Sequence, residues 1–157
     1  MAVSVLFVCL GNICRSPLAE AAFRAEADRI GLDVEVDSAG TGDWHVGRPP
    51  DPRSIAVAAR NGVDIGHLRA RQVSSADFDR FDHIVALDRE NLANLRRMQP
   101  AGATARLSLL LDHVAGREGD AVADPYYGED EHFDAAWADA LAGARGLGRT
   151  IMDAAKA

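Results

Sequence analysis

Cysteine is nearly absent from this chain: Cys9 and Cys14 are the only two in 157 residues. That excludes a small secreted scaffold stapled by disulfides. Lysine is scarcer still, with Lys156 the single one among 17 basic residues, a skew read as codon bias. No apolar run approaches the ~20 residues that span a bilayer. The longest such stretch, residues 1–10, lacks a basic lead and runs into Gly11, Asn12 and Arg15, so it reads as neither anchor nor secretion signal. No G-x-G-x-x-G is present, and no Walker loop with its Gly-Lys-Ser/Thr ending, which removes the common nucleotide fingerprints. The five histidines are scattered with no metal-ligand spacing, so neither a metal nor a cofactor is expected.

Positive charge is in short supply too. Seventeen basic residues face 24 acidic ones, for a net charge of −7, and 15 of those acids fall in residues 72–157. An acidic surface repels nucleic-acid phosphate and anionic lipid, so no nucleic-acid partner and no membrane insertion are expected. What remains is ordinary: 48% hydrophobic and 26% charged, the composition of a globular chain. Its length suits one domain, residues 1–157, of cytoplasmic type. No repeat, low-complexity tract or linker divides it, and nothing in the sequence speaks to oligomeric state.

The pattern along the chain alternates. Val3-Ser4-Val5-Leu6-Phe7-Val8 is a nearly unbroken β-rich run, as in a central strand covered on both faces. Ser16-Pro17 reads as an N-cap and first helical residue, opening a helix that stops near Gly31. A second strand is expected over residues 34–38, and a helix from Asp51-Pro52 to Asn61-Gly62. A short helix over 75–81, a strand over 83–87 and a helix capped by Asp88 and running to Met98 come next. A fourth strand at 106–108 and a last helix carrying Phe133, Trp137, Leu141, Ala144 and Ile151 complete the reading. Such alternation predicts a single doubly wound α/β domain, with a central four-stranded parallel sheet flanked by helices. Ligands of such sheets bind beyond the carboxyl ends of the strands, which gathers residues 9–16, 38–45 and 87–88 at one edge.

The segment Cys9-Leu10-Gly11-Asn12-Ile13-Cys14-Arg15-Ser16 sits between the first strand and the first helix. Loop amides and a helix N-terminus together form a concave anion site. The same positive field favours a thiolate at Cys9, and the planar fork of Arg15 suits two phosphoryl oxygens. A thiolate beside a bound phosphoryl group invites attack on phosphorus and a phosphocysteine intermediate. Taken singly, Cys9 reads as a buried cysteine and Arg15 as a surface residue; their spacing at a strand-to-helix junction argues otherwise.

The segment Val8 to Pro17 resembles the phosphate-binding loop of the low-molecular-weight protein tyrosine phosphatases residue for residue. The likeness extends over Ser38-Ala39-Gly40-Thr41, Asp43-Trp44, Val46-Gly47-Arg48, Asp51-Pro52-Arg53, Ala70-Arg71-Gln72 and Asp124-Pro125-Tyr126-Tyr127-Gly128. The order, loop first and acid last, is specific to that small family among cysteine-dependent phosphatases. The resemblance implies metal-independent hydrolysis of phosphotyrosine in proteins and of small aryl phosphates, with a tyrosine-phosphorylated protein as partner. It implies Cys9 as nucleophile, Arg15 as phosphate ligand and Asp124 as general acid, then base. Read locally, Asp124-Pro125 also opens a turn.

The same resemblance assigns supporting parts. Ser16 donates to the Cys9 sulfur, its helix-cap role being the alternative. Asn12, a type that tolerates a left-handed backbone, is held by hydrogen bonds with Ser16, Ser38 and His67, and that histidine pairs with Glu20. Trp44, Tyr126 and Tyr127 wall the pocket, with Leu10, Gly11 and Ile13 near the phosphate. Ile13 favours phosphotyrosine, because related bacterial protein arginine phosphatases look to carry threonine there. His45 departs from the asparagine of some relatives. Cys14 forms a reversible disulfide with Cys9 in the family, or merely fills the base of the loop. Three rivals fit less well. A thioredoxin-coupled arsenate reductase needs cysteines after Cys14, which the chain lacks. A phosphocysteine carrier needs neither Arg15 nor Asp124, and a non-catalytic phosphotyrosine binder would have lost Cys9 or Asp124.

Overall fold

The computed structural model describes residues 2–156, so the two end residues of the expected 1–157 domain lie outside it. Strand β1, Val3–Cys9, is buried on both faces from Ser4 onward, as its continuous apolar run requires. It pairs in parallel with β2, Val34–Gly40, on one side and with β3, His83–Ala86, on the other. Strand β4, Arg106–Leu109, adds to β3, giving the order β2-β1-β3-β4, all parallel. The chain leaves β1 to one side for β2 and to the other for β3. The crevice at that reversal, beyond the carboxyl ends of β1 and β3, is where an open α/β sheet binds its ligand.

Period-two alternation divides β1 between two cores. Val5, Phe7 and Cys9 pack with helices α1, Arg15–Ile30, and α5, Asp130–Lys156, whose inward residues include Phe23, Phe133, Trp137 and Ala144. Leu6 and Val8 face Ala39, Phe78, Ile84, Leu92 and Leu95 on the opposite side. That face is covered by α3, Asp77–Arg80, and α4, Arg89–Met98. Phe7 and Phe23 meet edge to face at 5.6 Å, and each fully buried side chain of this size contributes ~1.5–3 kcal/mol. Helix α2, Pro52–Arg60, packs against α1 and α5.

Local signals act as expected at several ends. Gly31 terminates α1 in the left-handed region, Asp51 caps α2 through Arg53 N–H, and Asp88 caps α4 through Asn91 N–H. One expectation is corrected. Ser16 is not the N-cap of α1: the helix opens at Arg15, after Cys14, and no side chain caps it. The Ser16 hydroxyl is committed to Cys9 and Asn12 instead. Pro17 therefore sits in the third helical position, still within the first turn, where no N–H is required. A 3₁₀ turn at Leu110–His113 follows β4, beyond the elements the sequence predicts. Gly146 of α5 lies so close to it that a Cβ there would meet the His113 carbonyl oxygen at 2.0 Å.

Candidate active site

The first link between sheet and site is β1 itself. Cys9 is its last residue, paired in register with Gly40 of β2. Beyond Cys9 the chain turns through Asn12, whose φ of 57° makes it the one described residue besides glycine in the left-handed region. Outer hydrogen bonds hold the loop open. The Cys9 carbonyl accepts from Thr41 N–H at 2.9 Å, that of Leu10 from Gly42 N–H at 2.9 Å and that of Ile13 from Asp51 N–H at 2.8 Å. A trans peptide sends its N–H opposite its carbonyl, so turning these carbonyls outward aims loop amides inward. The uncapped N-terminus of α1 adds its free amides to the same concavity. Gly40 permits this closeness: a Cβ there would stand 2.8 Å from the Leu10 carbonyl oxygen.

Behind the loop runs a hydrogen-bond chain whose direction is determined at its ends. Glu20, buried and paired with Arg24, accepts from Ser38 Oγ at 2.7 Å. Having spent its proton on a carboxylate, Ser38 must accept from Asn12 Nδ2, 3.0 Å away. The other Asn12 amide hydrogen goes to Ser16 Oγ at 2.7 Å, while Asn12 Oδ1 accepts from Arg71 N–H at 3.0 Å. Ser16 thus keeps its own hydrogen for Cys9 Sγ, 3.0 Å away. The Asn12 N–H, at 3.3 Å, also reaches that sulfur. Two donors therefore converge on Cys9 Sγ.

His67 stands outside this chain, a correction to its expected part. It is exposed, and among the described residues no hydrogen bond joins it to Asn12 or Glu20. The chain is complete without it: the Arg71 backbone N–H bonds Asn12 Oδ1, and Arg24 and Ser38 bond the Glu20 carboxylate. Arg71 is itself anchored by ion pairs to Asp37 and Asp77. A backbone donor carries no signature in the residue type, so the sequence pointed to a polar side chain.

Arg15 is only 4% exposed. Its Nη1 donates to Asp88 Oδ2 at 2.7 Å and to the Val122 carbonyl at 2.9 Å. Nη2 lies 3.7 Å from Asp124 Oδ2. Burial opposes its charge, yet Cys9, Asp88 and Asp124 together hold its pKa above the ordinary arginine value. Asp88 thus serves twice, as helix cap and as clamp on one edge of the guanidinium. Only the first role was legible in the sequence, because the second depends on β3 lying beside β1. Asp124 is 46% exposed and accepts from Tyr126 N–H at 3.1 Å, so it opens the turn and faces the site at once.

Cys9, Arg15 and Asp124 line one cavity of about 400 Å³. Leu10, Gly11, Ile13 and Cys14 contribute its floor and sides from the loop. Trp44, His45, Tyr126 and Tyr127 form the rest of the wall. His45 is a lining residue that sequence reasoning left undefined. Trp44 is 69% exposed and Tyr127 96%, whereas Trp137 is in the core. Tyr126 and Tyr127 meet edge to face at 4.9 Å, and Arg53 bonds the Tyr126 carbonyl at 2.9 Å, bracing the loop that carries Asp124. Both cysteines are free thiols. Burial first, then Asp51, pushes Cys14 up to about 12, so it is a neutral thiol at physiological pH. Among the described residues, no cluster of three metal-ligating side chains occurs, and no helix is long and apolar enough to cross a membrane.

The sequence profile described as low molecular weight phosphotyrosine protein phosphatase matches residues 4–155. The chain belongs to this family. A Schizosaccharomyces pombe protein named low molecular weight phosphotyrosine protein phosphatase is 48% identical over 134 residues, covering 83% of this chain and 85% of its own. The crystal structure of YfkJ from Bacillus subtilis superposes with a TM-score of 0.90 at 42% identity, covering 98% and 96% of the two chains. A Drosophila structure described as an arginine phosphatase gives 0.88 at 33% identity, covering 94% and 96%. The four-stranded parallel domain is thus the fold of low-molecular-weight phosphatases.

Proposed function

We propose that this cytoplasmic single-domain enzyme hydrolyses phosphotyrosine in proteins, and small aryl phosphates, through a phosphocysteine intermediate. The observation that carries the reading is the convergence of Cys9, Arg15 and Asp124 on one cavity, with two donors aimed at Cys9 Sγ. The loop amides and Arg15 hold three phosphoryl oxygens. The Cys9 thiolate attacks phosphorus, the S–P bond forms as the P–O bond to the tyrosine oxygen breaks, and protonated Asp124 gives its proton to that oxygen. Water then attacks the phosphocysteine, the Asp124 carboxylate takes the water's proton, and the S–P bond breaks to return thiolate and free phosphate. Ser16 donates to sulfur at both ends of the cycle. No step requires a metal or cofactor.

The pocket walls support tyrosine as the substrate residue. Trp44 and Tyr126 both wall the cavity whose base holds Cys9, so an aryl phosphate reaches Cys9 while a serine phosphate, on its short arm, does not. Ile13 offers an apolar contact to a ring.

The test is Asp124→Asn across a series of aryl phosphates. Loss of an acid catalyst costs ~10²–10⁴-fold. The penalty is expected to grow with the leaving-group pKa, large for phenyl phosphate and small for esters of acidic phenols. A penalty flat across the series would reduce Asp124 to a turn residue. Faster turnover of phosphoarginine than of phosphotyrosine by the parent enzyme would replace the substrate assignment.

A further inference from the structure

The exposed apolar surface collects on the face that holds the phosphate cavity. Among the described residues the exposed large apolar side chains are Leu10, Trp44, Val46, Met98, Tyr126 and Tyr127. Four of them line that cavity; Met98 does not. It borders a second cavity, also about 400 Å³, that has Leu10 and Trp44 as walls in common with the first. Trp44 is therefore a partition between two cavities rather than an outer rim. Gly42 makes room for it, since a Cβ there would fall 1.8 Å from Trp44 Cζ3.

The far wall of this second cavity is a stripe of α4: Glu90, Asn94 and Arg97, spaced at i, i+4 and i+7, with Met98 beside them. Arg97 is exposed, and its guanidinium bonds only to Asn94 of its own helix among the described residues. Apolar side chains and a cation without an acidic partner thus face one cleft, in a molecule whose net charge is −7.

We propose that this second cavity is a subsite for the polypeptide that flanks the phosphotyrosine: an apolar side chain rests on Leu10, Trp44 and Met98 while a neighbouring acidic side chain pairs with Arg97. The inference rests on the phosphotyrosine reading of the site and deepens it. Continuity favours a substrate chain over a separate partner. With the phosphate held on Arg15, a peptide that leaves across the Leu10–Trp44 partition enters the second cavity directly, and an extended chain advances ~3.3 Å per residue. The second cavity is therefore within reach of residues one to three positions from the phosphotyrosine. Charge sets the register. Glu90 at one end of the stripe repels an acidic residue that Arg97 at the other end attracts, so acid is favoured at one position rather than generally.

The experiment measures kcat/KM for phosphotyrosyl peptides on an alanine background, with leucine or glutamate placed at each of the three positions on either side. p-Nitrophenyl phosphate, which has no flanking chain, is the control. Partial burial of one leucine is expected to raise kcat/KM about fivefold at one position. An exposed ion pair is expected to add about threefold at a neighbouring one. Met98→Ala should remove the leucine preference, and Arg97→Glu should replace the glutamate preference with one for lysine. Both variants should leave p-nitrophenyl phosphate turnover unchanged, since neither residue touches the phosphate cavity. A peptide panel flat within about twofold would overturn the subsite while leaving the activity intact, as would a preference that both substitutions leave in place. If the wild-type enzyme turns over p-nitrophenyl phosphate but none of the phosphotyrosyl peptides, the activity assignment and the subsite fail together.

Discussion

Replacing Ser16 by alanine deletes one of the two hydrogen bonds that reach Cys9 Sγ, leaving the Asn12 N–H at 3.3 Å. A hydrogen bond to a charged group contributes ~1.5–3 kcal/mol, which corresponds to roughly one to two powers of ten in rate. The loss does not fall evenly on the two steps of the proposed phosphocysteine cycle. In the first, a less stabilised thiolate is also a stronger nucleophile, which offsets part of the penalty. In the second, the thiolate is the leaving group and bears the penalty. kcat should therefore fall by about ten- to a hundredfold, kcat/KM by less, and phosphocysteine should accumulate. Stopped-flow release of p-nitrophenol reads this as a burst followed by a slow steady state. Ser16→Ala also strands an Asn12 amide hydrogen, so a control must disrupt the same network without touching sulfur. Ser38→Ala does so, deleting the bonds to Asn12 and Glu20. If the two variants show the same fall in kcat and neither gives a burst, the directional chain from Glu20 to Cys9 is refuted.

Gly40→Ala forces a Cβ against the Leu10 carbonyl and the Asn12 N–H, at 2.8 and 3.2 Å; overpacking costs ~1–3 kcal/mol, so phosphate affinity and turnover should drop, read by inhibition with inorganic phosphate. Asp88→Asn keeps the α4 cap but removes the carboxylate partner of buried Arg15; kcat/KM should fall at least about tenfold, and thermal stability should fall with it, because the buried guanidinium loses a charge partner. His83 and His113 both have pKa values lowered, in each case chiefly by burial. The folded state binds their protons more weakly than the unfolded chain, which takes up protons below about pH 6.5, so the stability they support is present above that value and is lost as pH falls. Urea unfolding at about pH 7.5 and about pH 5.5 should show this loss, and His113→Gln should reduce the difference between the two conditions.

Elements dominated by local chemistry were readable from the chain alone. The unbroken apolar run of β1 demanded a central strand, Asp51 and Asp88 announced their helices, and Gly31 ended α1. The loop from Cys9 to Ser16 was legible because its chemistry is compressed into eight consecutive residues between a strand and a helix. Asn12 in the left-handed region belongs to the same class, since a single residue type answers to a single backbone demand. Ser16 marks where that reading misleads. Its type suits a helix cap, and only the neighbouring Cys9 and Asn12 draw its hydroxyl away.

The tertiary structure decided whatever depends on pairing between distant segments. Asp88 clamps Arg15 only because β3 lies beside β1, and the Val122 carbonyl and Arg71 N–H act through backbone atoms that every residue carries alike. His67 takes no part because the Arg71 backbone N–H bonds Asn12 Oδ1, and the side chains of Arg24 and Ser38 bond Glu20, in its place. Trp44 could be read as a wall, but not as a partition, since the second cavity it lines is closed by a stripe of α4 some fifty residues further along the chain. Residue type prescribes what a side chain is able to bond. The fold determines which partner is within reach, because a buried group bonds only what packing sets beside it.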